Sequence, residues 1–511
     1  MTKSFNEYFK ETILKNKRLV VAAIIVTVLA FGFTITNFSI GVEDPAAYHY
    51  LHTNGSGNMI QQGRLSHVLF DKLTGGRLTF IPFLNDFVGA ALFGFSALVF
   101  CGLFQYVTDG KLNDVELISF AGIYISYSII SEKFIYNLDV IVTMLSYVCV
   151  AYSLALICEI FNTGGVKQIK PLILSCLVLT VGLGSYESFV FVYICGVFAI
   201  FVIECIVGEK KLTFKDMLLR GLIFLLVLIG ALIIYYACVY LVQLFTGQLG
   251  LFYRTTVLKK NGIIYAMKEI VRTIYRAVFV SSYLPIQEFC VFSMIGFVLT
   301  IIYSIKRKSF VLTLCCIALF ISNFGIHMVT GSLFYRTSQT LCLFVAFAAL
   351  LLAFSSRKLK LYKVFMPVIM SLLVFAQLAD LNLSFHHDYS RYKKEEFVIN
   401  TIATRLVSEC NINKPVVFTS VNTAGAYQVD YLDSRDVGQV NGASMMYWGC
   451  QTFSEPTSPI MLNLFRMHGY NFLIEATPEQ AELGNKLAED MECWPNKDCI
   501  KEFDDFIVVN F

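Results

Sequence analysis

The chain has 511 residues, 56% of them hydrophobic, and a mean hydropathy of +0.65. Soluble domains are about 45–50% apolar, so this composition excludes an ordinary water-soluble enzyme. The net charge of +3 lacks the strongly basic balance that a nucleic-acid partner would call for.

Apolar stretches lie at 19–40, 81–107, 115–131, 139–160, 171–187, 188–207, 221–245, 286–305, 310–328, 338–355 and 362–380. Each approaches the roughly 20 residues that a helix needs to cross a bilayer. They predict a polytopic α-helical membrane protein with about 11 transmembrane helices. The first stretch follows a Lys-rich start, yet it is too long for a signal peptide and has no small-residue cleavage site, so it reads as retained. Lys and Arg collect before the first stretch and at 108–114, 161–170, 208–220, 306–309 and 355–361. The positive-inside rule puts these in the cytoplasm, with the N-terminus. The longer segments 41–80 and 246–285 then lie outside, as does the tail after an odd number of spans.

The division expected is a membrane domain at 1–380 and an extracytoplasmic domain at 381–511. Residues 381–396 are polar and read as a linker entering a helix. Phe397–Ser408 keeps apolar residues at helical spacing, Pro415–Thr419 reads as a buried strand, Thr477-Pro478-Glu479 starts a helix, and Phe506–Val509 closes the chain as a strand. Helices and strands over that length suggest one small α/β domain. Of fifteen cysteines, four lie in this tail: Cys410, Cys450, Cys493 and Cys499. An outside tail permits disulfides, so Cys493 and Cys499 could close a small loop; four free thiols is the alternative.

The chemistry-bearing residues cluster at the outer ends of the spans. Glu43-Asp44 directly follows the first span, where a carboxylate could act as a general base on an acceptor hydroxyl, or could be a solvated loop pair. Asp86, Glu132, Asp139 and Glu187 fall on the same side and suggest a polar cavity. Arg64 and Arg336 could bind a phosphate, or anchor in headgroups. Arg254, Lys259 and Lys260 add outer cations, and Lys268, Arg272 and Arg276 form a basic stripe on a predicted interfacial helix at 263–283 that suits lipid headgroups. His49 and His52 have no clear third ligand, so no metal residue is assigned.

Glu43-Asp44, Gln62-Gly63-Arg64, Tyr186-Glu187, a large outer segment after the seventh span and the ending Cys493-Trp494-Pro495 with Phe506–Val509 resemble the GT-C glycosyltransferase superfamily. Within it they look like the Gtr-type bacterial glucosyltransferases that decorate O-antigen and related surface polysaccharides. The resemblance implies an inverting transferase in the bacterial cytoplasmic membrane. It would move a sugar, by family default glucose, from a polyprenyl-phosphate donor to a polysaccharide acceptor on the outer side. It maps the catalytic acid onto Asp44 or Glu43; the branch often has two Asp here, and Tyr-Gln where this chain has Tyr186-Glu187. Gln62, Glu132, Asp139, Tyr186 and Glu187 would line the acceptor cavity. Some superfamily members need a divalent metal and others do not. The rival class is a lipid-linked sugar transporter or flippase, whose midplane site calls for broken helices and symmetric repeats that this chain does not display. A third reading is a non-catalytic polysaccharide-assembly protein with the tail as binding module.

Overall fold

The computed structural model describes residues 3–41, 44–45, 57–74, 81–162, 169–209, 213–248, 262, 264–269, 271–272, 275, 287–326, 337–419, 446 and 459–511. In chain order the main helices are α1 (Lys17–Thr36), α2 (Leu65–Thr74), α3 (Pro82–Val107), α4 (Asp114–Ser126), α5 (Val140–Asn162), α6 (Ile169–Leu183), α7 (Phe189–Ile206), α8 (Phe214–Thr246), α9 (Gln287–Lys306), α10 (Phe310–Ser322), α11 (Thr340–Ser355) and α12 (Tyr362–Glu409). Among the described residues eight helices are long and apolar enough to cross a membrane: α1, α3, α4 with its continuation to Phe134, α5, α7, α8, α11 with its continuation to Lys358, and α12. Shorter apolar helical stretches, α6, Met294–Lys306 within α9, and α10, fall where three more spans are predicted. The protein is membrane-embedded. α8 turns Leu225, Leu226, Ile229 and Ile233 outward, a face that water would not tolerate and lipid would.

Local chemistry starts and stops these helices. Asn16 Oδ1 accepts from Leu19 N at 3.2 Å and so caps α1, while Asn113 with Glu116 and Thr213 with Asp216 form capping boxes on α4 and α8. Gly247, at φ 68°, ends α8 in the left-handed conformation that glycine adopts freely. In the interior, α3 packs on α5, α4 on α11 and α12, and α1 on α3 and α4. Aromatic rings fill the seams: Phe93 stacks on Tyr124 at 4.8 Å and Phe31 on Phe134 at 4.4 Å.

α12 corrects one expectation. The polar segment 381–396, read as a linker, continues the helix without a break, so the boundary drawn at 380/381 falls inside a helix of 48 residues. Three of its charges are buried together: Arg391 bonds Asp388 and Glu395 one turn away on either side.

Beyond α12 the chain forms a four-stranded sheet of β1 (Pro415–Thr419), β2 (Ile474–Glu475), β3 (Ile500–Glu502) and β4 (Ile507–Asn510), in the order β2-β1-β4-β3. β1 runs parallel to β2 and β4, with Val416 opposite Ile507 and Phe418 opposite Val509, and β3 runs antiparallel to β4. Side chains alternate across the sheet. Val416, Phe418, Ile507 and Val509 join Ile399, Ile402 and Leu406 of α12 and Phe465 of α13 (Pro459–Met467). Val417 and Val508 face Ala481 and Ala488 of α14 (Pro478–Ala488), which Thr477 caps as its sequence predicts. Cys410, Cys493 and Cys499 are free thiols, so the 493–499 loop is not closed by a disulfide; Arg405 instead ties it down by donating to Lys497 O at 2.5 Å. Cys450 lies outside the described residues.

Candidate active site

The turn after α1 holds Asp44 away from water. Asp44 is 1% exposed, and its backbone N–H bonds Gly41 O at 3.2 Å. Its Oδ2 accepts from Gly41 N and from Asn137 Nδ2, both at 2.7 Å. Gly41 is required by close approach: a Cβ there would sit 1.7 Å from Ile135 O and 3.1 Å from Asp44 Oδ2. Burial pushes the Asp44 carboxyl up to about 7; the bonds from Asn137 and Gly41 counter part of that, and the carboxylates of Asp388 and Asp139 reinforce it.

Asn137 organises the neighbourhood. Its Nδ2 also reaches Ser39 O at 3.1 Å, and its own carbonyl accepts from Asn85 Nδ2 at 3.0 Å. Next to Asn85, Asp86 Oδ2 accepts from Thr34 at 3.0 Å, while its buried Oδ1 meets no partner among the described residues.

Two residues beyond Asn137, Asp139 Oδ2 accepts from Arg64 Nη1 at 2.8 Å, both side chains largely buried. His67 Nδ1 lies 3.5 Å from Asp139 Oδ1. Burial, with the charges of Arg64 and Lys133 nearby, holds the His67 imidazole down at about 4 against the pull of Asp139, so it is neutral at pH 7. Arg64 and Lys133 both face the Tyr186 ring, at 4.7 and 3.7 Å from its centroid. The Tyr235 hydroxyl of α8 lies 3.1 Å from Gly63 O and 3.4 Å from Glu187 Oε1. Gly63, at φ 73°, makes the turn that brings Arg64 here.

The structure therefore brings Arg64, Asp139 and Tyr186 into one cluster, links Glu187 to it through Tyr235, and joins that cluster to Asp44 through the Asn137–Asp139 segment. Glu132 is buried in the short helix Ser131–Phe134, and Gln62 is exposed. Glu43, Arg254, Lys259, Lys260 and Arg336 lie outside the described residues, as do His49, His52 and Arg276. Among the described residues no three His, Cys, Asp or Glu side chains converge as a metal would require, and no step below is routed through one. Sequence reasoning missed Asn137 as the partner of Asp44, and missed His67 and Tyr235. Their neighbours at the span ends were the available signal.

The family comparison decides what kind of protein carries this site. Residues 32–353, more than half of the chain, match the model described as glucosyl transferase GtrII. The chain belongs to the GtrII glucosyl transferase family. A GtrII protein is a glycosyltransferase, and its substrates are a sugar donor and an acceptor. The GtrII match takes in Asp44, Asn137, Arg64, Asp139, Tyr186 and Glu187, and ends before α12. No curated protein and no solved structure matches the chain.

Proposed function

We propose that the protein is an inverting glucosyltransferase. It takes glucose from a polyprenyl-phosphate donor and passes it to a surface polysaccharide at the outer face of the bacterial cytoplasmic membrane, with eleven spans and the sheet domain outside. Asp44 is the general base. It removes the proton of the acceptor hydroxyl as that oxygen bonds to the anomeric carbon. The bond from that carbon to the phosphate oxygen breaks on the opposite face, and polyprenyl phosphate leaves. A lipid donor keeps its phosphate at headgroup depth, where Arg64, Arg336, Arg254, Lys259 and Lys260 are the available cations to stabilise the leaving group. Asp139, bonded to Arg64, orients it, and Gln62, Glu132, Tyr186 and Glu187 belong to the acceptor side.

The observation that carries this reading is Asp44 itself: a buried carboxylate, gripped by two donors, whose proton affinity lies near neutrality, where a general base works best. The test supplies the full-length protein in lipid with polyprenyl-phosphate glucose of known anomeric configuration and isolated surface polysaccharide. Glucose should appear on the polymer with inverted configuration. Retained configuration, or no transfer by the wild type, overturns the proposal.

A further inference from the structure

The turn that carries Asp44 is gripped from α12, by residues that lie outside the family match at 32–353. Arg391 is fully buried. Its Nε and Nη2 donate to Asp388 Oδ1 at 3.2 and 2.9 Å, its Nη1 to Glu395 Oε2 at 2.6 Å, and its Nη2 also to Ile40 O at 2.6 Å. Asp388 uses its other oxygen, Oδ2, to accept from Ser39 Oγ at 2.6 Å. Two consecutive residues of the turn are thus tied to one buried ionic group.

The Ile40 carbonyl and the Gly41 N–H belong to the same peptide unit. Arg391 holds the carbonyl end, and the N–H end donates to Asp44 Oδ2. A peptide unit is planar and stiff, so fixing its carbonyl fixes the direction of the hydrogen bond that aims the carboxylate. The grip reaches further outward. Glu395 Oε1 accepts from Met446 N at 3.4 Å, the Ile40 side chain sits in the hydrophobic cluster that includes Val416, Phe418 and Phe465 of the sheet domain, and Phe38 meets Tyr392 edge-on at 5.3 Å.

We propose that Asp388, Arg391 and Glu395 are positioning residues for glucosyl transfer: through the Ile40–Gly41 peptide they hold the Asp44 carboxylate in its working direction, and so make the outer sheet domain part of the catalytic apparatus. This rests on the assignment of Asp44 as the base. A buried ion group kept only for packing would tolerate replacement of the whole group by apolar side chains, and would loosen the whole domain if a single member were removed. A positioning group acts first on the turn.

The test compares wild type, Arg391→Lys and Ser39→Ala as full-length proteins in lipid nanodiscs. Ser39→Ala removes one tie from the turn side and leaves the Arg391 ion pairs with Asp388 and Glu395 in place, and the protection of β4 reports whether the domain stays folded. Hydrogen exchange of residues 37–45 should accelerate in both variants, while strand β4 at 507–510 keeps its wild-type protection. With polyprenyl-phosphate glucose and surface polysaccharide, turnover should fall about 10–10²-fold, with the donor Michaelis constant held within about 2-fold, as expected for misdirection of a bound reacting group. Wild-type turnover in both variants overturns the proposal, and so does acceleration in β4 equal to that at 37–45. A wild type that transfers no glucose overturns the proposed function, and the exchange measurement then decides the grip by itself.

Discussion

A carboxyl group taken out of water binds its proton more tightly, and Asp44 is held where that effect brings it to about 7. A base must be deprotonated to act, so kcat/KM should rise with pH through an acid limb centred near 7 and level off above it. Asn137 donates to the charged form and opposes the effect of burial. Asn137→Ala should therefore move the acid limb to higher pH and cut activity at neutrality, with the plateau at high pH partly preserved; a limb that stays in place would remove Asn137 from the tuning of the base. Asp44→Asn keeps the size of the side chain but cannot take a proton, and transfer should drop about 10²–10⁴-fold. Sequence could point to Asp44 because two acids at the end of an apolar span are costly to place idly. It could place Asn137 with Asp139 at the outer span ends, beside a polar cavity, but it could not pair Asn137 with Asp44, 93 positions away.

At the level of elements, the turn after α1 works because it lies against the segment between α4 and α5. Gly41→Ala puts a methyl group into Ile135 O, backbone that has no room to yield. The variant should insert normally and yet lose most transfer, because the Gly41 N–H turns away from Asp44; full activity would show that the turn is more pliant than its contacts imply. α14 offers a separate check on stability alone. Thr477→Ala removes the capping oxygen and should cost about 1 kcal/mol, read as a lower melting temperature of the sheet domain with unchanged transfer. Most element positions were legible from hydropathy, from the short apolar runs of β1 and β4, and from the cap at Thr477. The course of α12 was not. Asp388, Arg391 and Glu395 look like part of a hydrated linker, because their polarity is answered by one another and by partners such as Ser39 and Ile40 that the pattern along one segment does not reveal.

For the whole molecule, the Lys and Arg distribution predicts the N-terminus in the cytoplasm and the sheet domain outside. An alkaline phosphatase fused after Phe511 should be active and a fluorescent protein fused there dark; the opposite pair of results would invert the topology and move Asp44 to the cytoplasmic face. The cations at the basic helix ends have their own structural use. Arg357 pairs with Glu116, and Arg220 with Glu204 at 3.0 Å, which staples helix ends together on the side away from Asp44. Sequence showed which end of each helix was basic; it could not show which acid each cation would meet.

The bond from Arg391 to Ile40 spans 351 positions of chain. Ile40 leaves the ribosome early and Arg391 near the end, so at synthesis rates of ~5–20 residues per second the turn waits roughly 20–70 s for its partner. The nascent protein thus passes through a stage in which its first helices are already made but the Ile40 carbonyl still lacks Arg391. On the proposed role of Arg391, α12 completes the site, and a chain stalled before it would occupy the membrane as an inert intermediate rather than as a premature enzyme.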